Sequence, residues 1–261
     1  DSPLGRRVVS ELRSHGVRTG VSWADPEGTR LGTYYLEHGG EPRGTNVIYD
    51  RADAAITDVS AAELPTGVFE SADRFHTTGI TPALSAEAAE TTAALLEAAG
   101  EHGVTRSFDL NYRAKLWTPE AARTAYESLF PDVDTLFVPV RDARRVLDRE
   151  GDAVDIAHGL ATDFGFDTVV VTRGAEGALA LADGAVREQE VFEADTFDAI
   201  GTGDAFVAGF LARRLDGGDV ADALEYAAAT AALKRTVDGD LAVVTPEEVE
   251  RVIGGEGGID R

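Results

Sequence analysis

Apolar and polar positions change rhythm about a quarter of the way along the chain. Residues 4–15 alternate like one face of a helix and stop at "HGV", where Gly16 is placed to close the helix in a left-handed turn. Three short β-like runs follow, "GVSW", "GTYYLEH" and "NVIYDRADAAI", punctuated by Gly, Pro and Asp. Their aromatic and aliphatic side chains are too few for a second core. Residues 17–58 are therefore expected to form a small β appendage packed on the main domain.

From about residue 60 strands and helices alternate. "DRFHTTGI" reads as a strand end, and residues 85–102 as a helix with Ser85 as its N-cap. Strand-like "VTRSFDLN", a helix at 119–129, strand "DTLFVP" and helices near 141–148 and 152–164 come next. "DTVVVTRG", "GALALADG" and "VREQEVFEA" read as strands, then helices 203–215 and 219–235 precede a last short helix in "TPEEVERVI". This alternation predicts an α/β fold, a mostly parallel sheet with helices on both faces. Ligands in such sheets bind beyond the carboxyl ends of the strands. That singles out Thr77–Gly79, Asp109–Arg113, Arg173–Gly177 and Gly201–Asp204.

Composition narrows the chemistry. At 261 residues the chain suits one domain with a small appendage, and no apolar run approaches a membrane span. With no cysteine, disulfides, thiolate nucleophiles and cysteine zinc sites are excluded. The histidines (His15, His38, His76, His102, His158) lack metal-ligand spacing and read as surface or helix-face residues. The formal charge is −23, and Lys115 and Lys234 are the only lysines. Such a field repels nucleic acid and anionic membranes. An acidic excess with so little lysine suggests a salt-rich cytoplasm, where ions screen self-repulsion. The sequence has no methionine and opens inside a helix, so an N-terminal segment is expected to precede it.

The sharpest motif is "FDAIGTGDAFVAGFL". Gly201 and Gly203 let the backbone turn just before a helix, so the N–H groups of residues 201–204 can converge on an anion, reinforced by the helix dipole. Asp204 then stands where a carboxylate can take a proton from an attacking hydroxyl. The bland alternative is a Gly-rich turn with Asp204 as an ordinary first-turn residue. A dinucleotide fingerprint would need glycine where Phe206 stands, and no P-loop sequence is present.

This stretch resembles the C-terminal signature of the ribokinase/PfkB sugar kinases, and the resemblance covers essentially the whole chain. It implies a ribokinase-like fold in which residues 1–16 and 59–261 form the kinase core, lacking its N-terminal part, and residues 17–58 a small β lid. The family's first strand, first lid segment and Gly-Gly sugar motif would precede residue 1. Asp204 would be the base, the 201–203 turn the phosphoryl anion hole, and Asp198 an acid near a K+ or Na+ site. "SFDLNYRAKLW" with "VIYDR" is similar to 2-keto-3-deoxygluconate kinases. That likeness implies substrate contacts from Tyr35, Tyr49, Arg51, Arg113 and Asp240, arginine being suited to an anionic sugar acid. "VVVTRGAEGALAL" resembles the family's nucleotide loop, implying ATP contacts at Arg173, Gly174 and Gly177 with Asn111 and Arg113 nearby, although a tight hairpin would look the same.

One departure stands out. Where the family carries N-x-x-E, tied to magnesium, this chain reads "PVRDA", with Pro139 at the asparagine position and Asp142 as stand-in for the glutamate. Magnesium is still expected to arrive on the nucleotide. The resulting expectation is a cytoplasmic sugar-acid kinase. The alternatives are a family member acting on a neutral sugar or nucleoside, and a sensor that binds without turnover. The lid edges suggest a weakly held homo-oligomer.

Overall fold

The computed structural model describes residues 1–25, 27–39 and 42–255. The last six residues of the expected core lie outside that set. Helix α1 (Pro3–Ser14) is capped by Ser2, and Gly16 follows it at positive φ. Strands β1 (Thr33–His38) and β2 (Thr45–Asp50) form a separate antiparallel ribbon with Tyr34 opposite Tyr49 and Tyr35 opposite Ile48.

The main sheet has six strands in chain order: β3 (Arg74–Thr78), β4 (Thr105–Asp109), β5 (Thr135–Pro139), β6 (Thr168–Thr172), β7 (Ala178–Ala182) and β8 (Ala185–Gln189). The first four run parallel, and β6–β7–β8 form an antiparallel meander. Between them run α2 (Ala86–Glu101), α3 (Pro119–Leu129), α4 (Val140–Leu147) and α5 (Ala153–Phe164); α6 (Thr202–Leu215), α7 (Val220–Arg235) and α8 (Pro246–Ile253) close the described chain. Ser85 caps α2 through Ala88 N–H (2.9 Å), as expected.

Alternation along the strands sorts side chains between two cores. Leu136, Val138, Val169, Val171, Leu179 and Leu181 face α2–α5, whereas Phe137, Val170, Ala178 and Ala180 face α6 and α7. Central strands buried on both faces read as continuous apolar runs, which is why "TLFVP" and "TVVVT" are so apolar. On the second face Phe137 meets Phe210 of α6 edge-on, 5.3 Å between centroids, and fixes α6 against the sheet.

Three expectations fail locally. "GVSW" forms no strand, and the run after β2 turns at Asp53 (φ 53) into a short 3₁₀ segment, Ala55–Asp58. "VREQEVFEA" pairs only as far as Gln189. Short β-prone runs need a neighbour to supply hydrogen bonds, and past Asp50 the run finds only the single bridge of Ala54 to Arg30 among the described residues.

Phe210→Ala is expected to lower stability by about 3–5 kcal/mol, the usual cost of emptying an aromatic core site; urea unfolding measures it. A loss below about 1 kcal/mol would mean that α6 is held by other contacts.

Candidate active site

The carboxyl ends of β4, β5 and β6 and the start of α6 enclose one cavity of about 240 Å³, lined by Asp109, Asn111, Arg113, Pro139, Arg141, Asp142, Thr172 and residues 201–204. A larger cavity of about 710 Å³ adjoins it, sharing Pro139, Arg141 and Thr172, and extends over Arg144, Arg173, Gly174 and Glu188. Two of the strand ends singled out by sequence, after β4 and before α6, thus meet in the first cavity. The Arg173–Gly174 stretch lines the second.

The turn into α6 is built from several ties. Gly201 is the N-cap, at φ 77 in the left-handed region. A Cβ there would lie 2.7 Å from the Asp240 carbonyl oxygen and 3.4 Å from Lys234 Cε, so only glycine fits. Thr202 Oγ1 donates to Ala199 O (2.7 Å), and the buried Asp198 carboxylate accepts from Ile200 N–H (2.9 Å) and Gly239 N–H (3.3 Å). Among the described residues the N–H groups of Gly201, Gly203 and Asp204 have no backbone or side-chain acceptor, and nothing lies within 4 Å of where a Gly203 Cβ would be. Orphan donors at the positive end of a helix dipole make an anion site.

Asp204, in the first turn of α6, accepts from Asn111 Nδ2 (3.3 Å). Asn111 holds φ 38, a left-handed conformation that Asn tolerates better than most residues, and its N–H bonds Asp109 Oδ1 at 3.2 Å. Asp109 opens the strand-end stretch that the sequence singled out, although no motif gave it a role of its own. It is buried at the end of β4, and burial, with the Asp204 charge adding, pushes its carboxyl up to about 7. The signal was available in principle: an aspartate closing an apolar parallel strand points into the cleft. Arg113 donates toward the Asn111 and Tyr112 carbonyls at 3.4 Å, and its charge partly offsets that of Asp109. His76 stands on β3, not on a helix, with Nδ1 2.9 Å from Ser107 Oγ; desolvation lowers its pKa while the Asp204 charge opposes this.

The β1–β2 ribbon reaches the loop beside this turn through Tyr34. Tyr34 donates its hydroxyl to Asp240, and that bond with desolvation pushes the phenol up to about 12. The Tyr34 and Tyr49 rings lie 6.5 Å apart, the Arg51 guanidinium sits 4.3 Å from the Tyr49 centroid, and Lys115 Nζ donates to Val47 O at 2.7 Å. Tyr35 lies on the opposite face of the ribbon and is 59% exposed. The ribbon thus turns Tyr34 to the core where the sequence expectation named Tyr35. A period-two register cannot be read from two adjacent tyrosines alone.

The remaining expected residues divide. Both oxygens of the buried Asp142 are taken by the Arg141 guanidinium, at 2.9 and 3.1 Å. Arg173 pairs with Glu188 (2.8 Å) while its buried Nε lacks a partner. Gly174 faces open space beside the larger cavity, but a Cβ on Gly177 would strike Gln189 O at 2.0 Å, so Gly177 serves the hairpin. Among the described residues no group of three or more His, Asp or Glu has metal-binding geometry, and no helix is long and apolar enough to cross a membrane.

With this geometry in hand, four likenesses bear on the chain. The family profile "pfkB family carbohydrate kinase" matches residues 1–247. A 2-dehydro-3-deoxygalactonokinase of Haloferax volcanii is 62% identical over 262 residues, spanning 100% of this chain and 82% of the relative. A 2-dehydro-3-deoxygluconokinase of Thermoproteus tenax is 33% identical, spanning 97% of this chain and 77% of that one. The crystal structure of 2-dehydro-3-deoxygluconokinase from Thermotoga maritima superposes with a TM-score of 0.86 at 31% identity, covering 98% of this chain and 82% of that one.

Two outcomes follow from the geometry. Gly201→Ala is expected to cost about 1–3 kcal/mol through backbone strain and the Asp240 clash, read by thermal or urea unfolding, and to abolish anion binding at the turn. Between the ordinary 3.8 of Asp109 and its raised value of about 7, the folded chain keeps a proton that the unfolded chain has released. Stability is therefore expected to fall as pH rises through that window, by on the order of 2–4 kcal/mol, and Asp109→Asn to flatten that fall in urea midpoints.

Proposed function

We propose, because this chain belongs to the pfkB family of carbohydrate kinases, that it moves the γ-phosphoryl group of ATP to the terminal hydroxyl of a 2-keto-3-deoxy hexonic acid. This is the class that contains 2-keto-3-deoxygluconate and its galactonate epimer. The names of its relatives in Haloferax volcanii and Thermoproteus tenax support that acceptor. The observation that carries the reading is the meeting of Asp204 with three unpartnered amides in one cavity, beneath a lid bearing Tyr49 and Arg51.

The acceptor hydroxyl attacks the γ-phosphorus while its proton passes to the Asp204 carboxylate and the bond to the β-phosphate oxygen breaks. The amides of Gly201, Gly203 and Asp204 hold the charge on the phosphoryl oxygens. Asn111 orients the Asp204 carboxylate through its 3.3 Å bond. Arg113 and Arg51 bind the acid, and Tyr34, Tyr49 and Asp240 close over the hydroxyls. ATP lies along the larger cavity, with Gly174 leaving space and Arg173 beside the phosphates; Gly177 shapes the loop without touching the nucleotide. Magnesium would arrive on ATP and neutralise phosphate charge there, since both Asp142 oxygens are held by Arg141 and burial pushes Asp109 toward neutrality.

A second copy of the chain, covering the outer lid face where Tyr35 and Ile48 are exposed, fits a homo-oligomer. The functional reading places the reaction in the cytoplasm, where ATP is made available. A catalytically silent sensor would have no use for a carboxylate aimed into the cavity.

Asp204→Ala is expected to lower kcat by about 10²–10⁴-fold with nucleotide affinity retained, measured by coupled ADP release and calorimetry. A panel of 2-keto-3-deoxy acids, fructose, ribose and nucleosides checks the acceptor. Preference for a neutral sugar or nucleoside in kcat/KM would sink the assignment.

A further inference from the structure

Only two lysines occur in this chain. Lys115 reaches the lid. Lys234 is fully buried in the last turn of α7, directly behind Gly201, where its Cε would lie 3.4 Å from a Cβ on that glycine. Its ammonium donates to the Val237 carbonyl at 3.1 Å, and among the described residues no carboxylate stands within ion-pair distance. A buried charge with one carbonyl partner is costly unless its field serves something. The negative end of the α7 dipole offsets part of that cost.

The expected K+ or Na+ beside Asp198 does not fit these residues. Asp198 and Lys234 bind the same short loop two residues apart, the one through Gly239 N–H and the other through Val237 O. The Asp198 and Phe197 amides also donate to the carbonyl of Arg235, next to Lys234. A mobile cation seated at Asp198 would meet, on the same short loop, an ammonium of the same sign.

We infer that Lys234 is the built-in cation of the phosphoryl site. Its ammonium tethers the 237–240 loop beneath the 199–203 turn and supplies from behind the positive field that a monovalent ion would otherwise bring. Lys234 is thus a positioning residue, acting through the turn rather than touching substrate. The inference rests on the turn being the phosphoryl site, as the functional reading has it. Because the Asp204 carboxylate and the sugar play no part in the nucleotide-binding readout below, a wrong acceptor leaves it intact.

The test compares the full chain with Lys234→Ala and Lys234→Arg, in KCl and in choline chloride at equal ionic strength. MgADP affinity is measured by calorimetry and turnover by ADP release. The wild-type protein is expected to bind MgADP equally in both salts. Lys234→Ala is expected to bind about tenfold more weakly in choline and to recover saturably with K+, whereas Lys234→Arg keeps cation independence. Turnover is expected to drop by about 10²-fold in kcat for Lys234→Ala in choline, with the KM for sugar little changed. A specific need of the wild-type protein for K+ or Na+ would overturn the inference, and this reading stands even if no variant folds. Wild-type affinity of a folded Lys234→Ala in choline, or a loss that no small cation restores, would overturn it equally.

Discussion

The candidate active site depends on one backbone conformation. Gly201 enters α6 at positive φ while pressed against the Asp240 carbonyl and the Lys234 stem, and no side chain can occupy that space. Once it is set, the first amides of the helix have nowhere to find intrahelical acceptors, and they face the cavity as donors. The surroundings are arranged to keep it set. Asp198 ties the turn to the 237–240 loop, Phe210 and Phe137 press α6 on the sheet, and Tyr34 joins the lid to Asp240 on the same loop. A displacement of that loop would thus be felt at the anion turn and at the lid together.

Electrostatics around this turn run against the rest of the molecule. A chain of formal charge −23 is a poor partner for ATP and a sugar acid unless positive groups are concentrated where the anions bind. Arg113, Arg141, Arg144 and Arg173 form that concentration along the two cavities, with the α6 dipole behind the amides. Asp109, Asp142 and Asp204 are interleaved with it. Burial separates their roles: Asp142 is locked to Arg141, Asp109 is pushed toward neutrality, and Asp204 is left open to the cavity. The acidic surface agrees with the expectation of a salt-rich interior, as does a relative in Haloferax volcanii.

The lid shows how two neighbouring residues acquire different duties. Tyr34 and Tyr35 are adjacent in sequence and chemically identical, but the ribbon pairs the first with Tyr49 over the site and the second with Ile48 on the outer face. A one-residue shift in register would exchange them. The Arg51 stack on Tyr49 and the Lys115 bond to Val47 fix the register against the core.

Strong periodicity and local signals made much of this protein legible in its sequence. Helices α2, α3, α5, α7 and α8 carry their own N-caps, strands β5 and β6 are continuous apolar runs, and the G-T-G-D turn states its backbone requirement in its residue types. Those features are local, so local composition determines them. Tertiary structure alone decided which side chains share the cavity. The burial that raises Asp109, the guanidinium that occupies Asp142, the face that Tyr34 presents and the position of Lys234 behind Gly201 all arise from residues far apart in the chain. Desolvation and through-space charge depend on what the fold brings near, and sequence spacing does not encode those distances.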